Sequence, residues 1–296
     1  MPNEKEAVLD EAELFARKRH ETFDRMMEDV KSKDYAVIDL REEAGFTSRL
    51  AIKKAHPGKE RGMLVVCAGG GFRFKSWNEA LPVAEFFYGE GINVSILDYH
   101  VKKTGYVGLD PDMMRMAGED GLEAIRYLRL HAKELHVLPD HIAIGGFSAG
   151  GMLSGYAATR FDPGDPESPD PLKRVSSRPD AALILYGAFS STSAVPPGPG
   201  GMTREEIAEA AKMDNVRHIR SDCPPMFVFQ THEDDPRIGL NFCMQLANFG
   251  VPYEIHTFER GYHGGALYNG RDETPDEKHT ALWAPVAADW LRMRGF

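Results

Sequence analysis

His141-Ile142-Ala143-Ile144-Gly145-Gly146-Phe147-Ser148-Ala149-Gly150-Gly151-Met152-Leu153-Ser154-Gly155-Tyr156-Ala157-Ala158-Thr159-Arg160 passes from an apolar run through a glycine-rich turn into a second apolar run. Its opening, His141–Gly145, is a short apolar run of strand type, and its close, from Gly151 to Arg160, is of helix type. Between them stands Gly146-Phe147-Ser148-Ala149-Gly150, of the form G-x-S-x-G. That pentapeptide alone is a weak signal. Set between a strand and a helix, it has the context of a nucleophile elbow, with Ser148 at its tip. The turn is tight, and side chains at Gly146 and Gly150 would crowd the neighbouring backbone. The helix N-terminus behind Ser148 favours negative charge developing there.

Outward from this stretch, apolar runs alternate with helical stretches. The strand-like runs are Met63–Cys67, Asn93–Leu97, His141–Gly145, Ala181–Tyr186, Met226–Gln230 and Tyr253–Phe258. Helices are predicted at Ala80–Gly89, Pro111–Glu134, Gly151–Arg160, Arg204–Lys212, Arg237–Phe249 and Leu282–Met293. Such alternation implies an α/β fold, with a mainly parallel central sheet and helices on both faces. The early runs, Tyr35–Leu40, Arg49–Lys53 and Met63–Cys67, have no helix between them and predict an antiparallel start. Residues 4–33 read as a helix, with Phe15, Phe23, Met26 and Val30 at spacings of mostly three and four. The expected division is residues 1–34 as a helix packing on the domain or on a partner subunit, and 35–296 as one catalytic domain. Asp162–Pro179 and Ser190–Gly201 are dense in Pro, Gly, Ser and Asp and must be loops. Residues 162–179 and 190–222 are the lid candidates.

Composition narrows the function. The 296 residues carry a net charge of −10. This disfavours nucleic acid and anionic membranes, which need clustered Lys and Arg. No apolar run is long enough to span a bilayer, and the N-terminus lacks an apolar signal core. Cys67, Cys223 and Cys243 are sparse and have no CxxC spacing, which fits a reducing compartment. A cytoplasmic protein with no metal and no organic cofactor is expected. A second copy of the chain, engaged through the N-terminal helix, is the one protein partner considered.

Two further regions bear chemistry. Ala68-Gly69-Gly70-Gly71-Phe72 follows the Met63–Cys67 strand. Bare N–H groups there would hold an oxyanion, together with the Ala149 N–H. A nucleotide-phosphate loop is the competing reading, but Phe74 stands where the third glycine of G-x-G-x-x-G belongs. After the serine, an acid and then a histidine are expected in chain order. Thr231-His232-Glu233-Asp234-Asp235-Pro236 follows one strand and Gly261-Tyr262-His263-Gly264 the next. His263 is the natural base. Asp234 and Asp235 compete as the acid, the other being solvated or capping the helix that follows.

From about residue 60 onward the sequence resembles the esterase branch of the α/β-hydrolases, including acetyl-xylan-esterase-like and carbohydrate-esterase-like proteins. The resemblance rests on Val66–Phe72, Ser95–Tyr99, Pro139–Gly151, Cys223–Phe227, Thr231–Asp235 and Gly261–Gly264. It implies the α/β-hydrolase fold and a Ser-Asp-His triad acting on a small-molecule ester. The family pattern T-x-D-D-x-x-V-P carries its role on the second aspartate. That gives Ser148, Asp235 and His263, with Asp234 the alternative. It also gives the oxyanion role to Gly70 and Gly71 beside Ala149. Small acyl groups are a family-level expectation. Phe72, Trp77, Phe147 and Tyr262 stand near the motifs and could stack on a sugar, which makes an acetylated sugar the candidate substrate. The other readings are a lipase-like or peptidase-like serine hydrolase, or a catalytically silent ligand-binding member of the fold.

Overall fold

In the computed structural model, which describes residues 11–102, 110–188, 208, 211–269 and 274–296, the apolar runs become eight strands of one sheet. They are β1 (Tyr35–Glu43), β2 (Phe46–Lys53), β3 (Arg61–Cys67), β4 (Asn93–Asp98), β5 (Val137–Phe147), β6 (Ala181–Leu185), β7 (Met226–Thr231) and β8 (Tyr253–Phe258). Their spatial order is β1-β2-β4-β3-β5-β6-β7-β8. β1 pairs antiparallel with β2, and β2 antiparallel with β4. Every other pairing is parallel. β5 is longer than its apolar run, because Val137 pairs with Arg61 before a bulge over residues 138–141 leads to the Met63–Ile142 pair.

Strands β3, β4, β6 and β7 are buried almost throughout, as strands covered on both faces must be. One face carries α3 (Pro111–Leu130), α5 (Ala149–Thr159) and the Pro236–Asn248 helix. The other carries α1 (Glu11–Asp29), α2 (Leu81–Gly89) and the Trp283–Met293 helix. Asp110 caps α3, its side chain accepting the Met113 N–H at 3.1 Å, and Pro111 fits the first turn. The single helix predicted over Pro111–Glu134 is two: α3 ends at Leu130 and α4 covers Ala132–Leu135. His136 follows in the left-handed region at φ 56° and stops it.

The N-terminal helix belongs to the core of its own chain. Phe23, Met26, Met27 and Val30 pack into the cluster that holds Leu64, Val66, Phe87 and Trp283. Burying such side chains is worth about 1.5–3 kcal/mol each. Residues 162–179, a lid candidate, run from the C-terminal end of α5 to the start of β6, at the amino ends of the parallel strands and opposite the end that carries Ser148. Arg129 Nη2 meets Asp180 at 2.7 Å, Lys173 meets Glu123 at 2.8 Å, and Arg126 pairs with Asp162, so the loop is fastened to α3. The other lid candidate, 190–222, lies outside the described residues up to 210 apart from residue 208, as does most of the predicted Arg204–Lys212 helix. Its last part packs on α5, where Asn215 Nδ2 donates to the Met152 carbonyl at 2.8 Å. Among the described residues no helix is long and apolar enough to cross a membrane.

A buried ion pair ties the glycine loop to the sheet. Lys75 Nζ stands 2.5 Å from Asp98 Oδ1 and donates to the Tyr99 carbonyl at 2.8 Å. The rings of Phe23, Phe46 and Tyr99 surround the ammonium at 4.9–5.4 Å. Arg49 reaches the other Asp98 oxygen at 2.6 Å. Burial pushes the Asp98 carboxyl up, but the two cations outweigh it and hold it below the usual range. Removing one partner of such a pair is costly because a buried charge loses its compensation. Lys75→Met is expected to destabilise the fold by about 3 kcal/mol at neutral pH, read from urea midpoints. A group with a depressed folded pKa stabilises above its unfolded value and loses that contribution as pH falls through the folded one. The difference between wild type and variant is therefore expected to narrow in acid.

Candidate active site

The site forms at the carboxyl ends of β3, β5, β6, β7 and β8, where open α/β sheets place their crevices. Ser148 follows β5 directly and starts α5. Its backbone is at φ 52°, ψ −118°, a conformation that costs a non-glycine residue on the order of 1–3 kcal/mol. The strain lifts Oγ off the end of the sheet. Close packing enforces it: a Cβ on Gly150 would stand 2.1 Å from the Cys67 carbonyl oxygen, and one on Gly146 2.5 Å from the same atom.

Ser148 Oγ lies 2.8 Å from Nε2 of His263, and Nδ1 of His263 lies 2.6 Å from Oδ2 of Asp234. In this chain the Nδ1–H donates to the carboxylate and Nε2 is left to accept from the serine hydroxyl. The hydrogen bond to Asp234 lifts the His263 pKa above its ordinary value, against burial, which pulls it down. The loop carrying His263 is held from several sides. Thr231 Oγ1 donates to the Gly261 carbonyl at 2.6 Å, and Glu233 accepts the Gly261 N–H at 3.0 Å. Tyr268 Oη donates to the Tyr262 carbonyl at 2.8 Å, and Trp283 Nε1 to the Ala266 carbonyl at 3.0 Å.

The aspartate is a correction. Asp235, on which the family pattern places the acid, points away from His263. Its carboxylate accepts the Arg237 N–H at 3.1 Å as the cap of the Pro236–Asn248 helix, and it pairs with the Arg237 guanidinium at 2.7 Å. That pairing holds the Asp235 carboxyl below its usual range. Asp234 closes the short 3-10 turn His232–Asp234 and takes the place beside the histidine. The signal was present in the sequence. Asp235-Pro236 has the form of an N-cap followed by proline at the first helical position, and a capping aspartate cannot also turn back to the histidine.

The glycine loop passes beside the serine. A Cβ on Gly69 would meet Ser148 Cβ at 2.9 Å and Glu79 Oε2 at 2.7 Å. The Gly69 N–H is committed to Glu79 Oε2 at 2.8 Å. Gly70 and Gly71, both at positive φ, have N–H groups with no partner among the described hydrogen bonds. Ala149 opens α5, where the first N–H groups have no partner inside the helix.

The aromatic residues divide. Phe72 and Phe147 are buried in the core, Phe72 edge-on to Tyr99 and Phe147 against Tyr186 and Trp283, so neither is a surface for a sugar. This corrects their reading as substrate-binding residues. Trp77 and Tyr262 are exposed. Trp77 borders a shallow groove along α1 with Arg25, Met26 and Leu81, and Tyr262 precedes His263. Sequence reasoning missed Glu79, whose carboxyl lies inside the domain. A groove of about 730 Å³ lined by Lys53, His56, Tyr88 and His136 shares no residue with this site.

Known proteins resemble the chain along most of its length. A family model described as alpha/beta hydrolase fold matches residues 112–267, and a second, BD-FAE, matches residues 52–167. The acetyl ester-xyloside bifunctional hydrolase of Caldicellulosiruptor lactoaceticus superposes with a TM-score of 0.72 at 27% identity, over 87% of this chain and 96% of that one. A thermophilic esterase of Thermogutta terrifontis, with propionate bound, gives 0.68 at 26% identity over 89% and 95%. Endo-1,4-beta-xylanase B of Butyrivibrio fibrisolvens is 27% identical over 233 residues, 76% of this chain and 36% of that protein. The chain spans about a third of the length of the curated relatives it matches.

The two aspartates can be told apart by titration. Asp234→Asn removes the contact that lifts the His263 pKa, so the imidazole is expected to titrate at lower pH in an NMR titration of the histidine ring. Asp235→Asn is expected to leave that titration where it is in the unaltered protein.

Proposed function

The chain belongs to the α/β-hydrolase fold family, and on that premise we propose that it is a serine esterase acting on carboxylic esters of small acyl groups. One observation carries the reading: the unbroken chain of contacts from Ser148 Oγ through His263 to Asp234, at 2.8 and 2.6 Å. A serine hydroxyl needs an adjacent base to become a nucleophile at neutral pH, and that base needs a third group to orient it.

The reaction has two halves. His263 Nε2 takes the Ser148 proton as Oγ attacks the ester carbonyl. The N–H groups of Gly70, Gly71 and Ala149 bind the resulting oxyanion, each such donor being worth roughly 2.7–4 kcal/mol. Asp234 keeps the imidazole in the right tautomer and stabilises its protonated form. The imidazolium then protonates the leaving alcohol as the tetrahedral intermediate collapses to the acyl-enzyme. Water, deprotonated by the same histidine, attacks the acyl carbon, and the released serine oxygen recovers its proton from His263.

An acetylated sugar is the proposed substrate. It is supported by the names of the similar proteins, one an acetyl ester-xyloside hydrolase and one a xylanase. The propionate bound to a third supports a short acyl group. The exposed rings of Trp77 and Tyr262 would offer the alcohol half an apolar face.

Three outcomes are expected. A fluorophosphonate probe labels the folded protein at Ser148, and Ser148→Ala lowers kcat on p-nitrophenyl acetate by on the order of 10⁶; a Ser148→Ala protein with wild-type turnover would overturn the reading. Asp234→Asn lowers kcat by about 10⁴, whereas Asp235→Asn changes it by no more than about threefold, because a surface pair contributes little. On a series of p-nitrophenyl esters and acetylated xylosides, kcat/KM falls with acyl length, and an increase from acetate to octanoate would point to a lipase-like site instead.

A further inference from the structure

Glu79 is a carboxylate buried beside the site, only 2% exposed, to which the mechanism above gives no role. It ends the short 3-10 turn Trp77–Glu79 that leads into α2. Its two oxygens reach two different parts of the site. Oε2 accepts the Gly69 N–H at 2.8 Å, at the root of the glycine loop. Oε1 accepts from the Tyr186 hydroxyl at 2.7 Å, and the oxygen of that hydroxyl accepts the Ala266 N–H at 3.2 Å, on the loop of His263. The next residue back, Asn78, donates from Nδ2 to the Gly264 carbonyl at 3.3 Å.

The hydrogens in this chain can be counted. Gly69 N–H, Tyr186 O–H and Ala266 N–H are three donors, and Oε2, Oε1 and the Tyr186 oxygen are their three acceptors. Every donor has an acceptor only if Glu79 is ionised. A protonated carboxyl would donate to Tyr186 and strand the phenol hydrogen. Tyr186 itself sits at φ 37°, strained for a non-glycine residue, with its ring 4.9 Å from the His263 imidazole.

Resting on the serine-esterase reading, we propose that Glu79 is a positioning residue. Its ionised carboxylate locks the oxyanion loop to the histidine loop, and it sets a second negative charge behind the imidazolium that forms at His263. The charged and titratable groups facing it are Arg19 from α1, Tyr99 after β4, Tyr186 after β6, and His263 and Tyr268 on the histidine loop. Burial pushes the Glu79 carboxyl up and outweighs Tyr186, Gly69, His263 and Arg19, which pull it down, so it stands above the usual carboxylate range. The field of Glu79 in turn favours the protonated form of His263.

Glu79→Gln keeps the volume and removes the charge. One amide group cannot accept from both Gly69 and Tyr186, so the two loops lose their common anchor. On p-nitrophenyl acetate, kcat is expected to fall by about 10²-fold, the scale of a small misplacement of reacting groups, with KM within about twofold and the thermal midpoint within a few degrees. The acid limb of kcat/KM is expected to move to lower pH, because an anion that favoured the imidazolium is gone. A role in folding alone would lower the midpoint and leave that limb in place. Tyr186→Phe is the second variant and the decisive one if Glu79→Gln does not fold. It keeps the carboxylate, breaks the bridge to Ala266 and is expected to lower kcat at unchanged KM. Wild-type kcat and pH profile in Glu79→Gln, or wild-type kcat in Tyr186→Phe, would overturn the proposal. Fluorophosphonate labelling of the unaltered protein separates the two claims: labelling with indifferent variants refutes the role of Glu79 alone, and failure of wild type to label or turn over ester refutes both.

Discussion

A side-chain carbon on Gly150 would stand 2.1 Å from the carbonyl oxygen of Cys67, and one on Gly151 2.9 Å from Cα of Gly187. The turn that carries Ser148 is thus wedged between the ends of β3 and β6 with no space to spare. The site depends on that contact. It brings the glycine loop after β3 against the serine, with Gly69 packed on Ser148 Cβ. It also pays out as strain, with Ser148 held at φ 52° because the packed glycines leave the chain no other path.

Around this turn the protein uses buried charge to fix loops that have little apolar surface of their own. Lys75 and Arg49 meet Asp98 beneath the glycine loop. Asp234 meets His263 between the loops after β7 and β8. Glu79 sits between the glycine loop and the histidine loop. Asp98 has two cations and Glu79 two donors, as a charge out of water requires, whereas Asp234 is part-exposed and meets His263. The partner of the imidazole is chosen by the same logic. Asp235 is satisfied by a helix end and Arg237, which leaves Asp234 for the imidazole.

Much of the fold is legible in the sequence. All eight strands fall on apolar runs, and the antiparallel start holds for the first two runs, while the third, Met63–Cys67, lies in the parallel part of the sheet. Burial on both faces makes a strand continuously apolar, and that pattern survives in a linear reading. The elbow was legible because its glycines are a local steric demand. Less was visible in the loops. Asp162–Pro179 has a loop composition, but composition does not say at which end of the sheet a loop lies. Phe72 and Phe147 neighbour the motifs in sequence, yet each turns its ring into the core.

The class of fold, the turn that carries Ser148, the glycine loop and the histidine that follows in order could all be read from the sequence, because each is written in local spacing and in backbone conformations that only certain residues accept. The tertiary structure alone decided which of two adjacent aspartates faces His263, which aromatic rings remain exposed and that Glu79 joins two loops. Those outcomes depend on where residues far apart in the chain meet. Gly69 and Glu79 are ten residues apart, and Glu79 and Tyr186 more than a hundred. No periodicity encodes contacts of that range; they arise when the sheet brings the strand ends together.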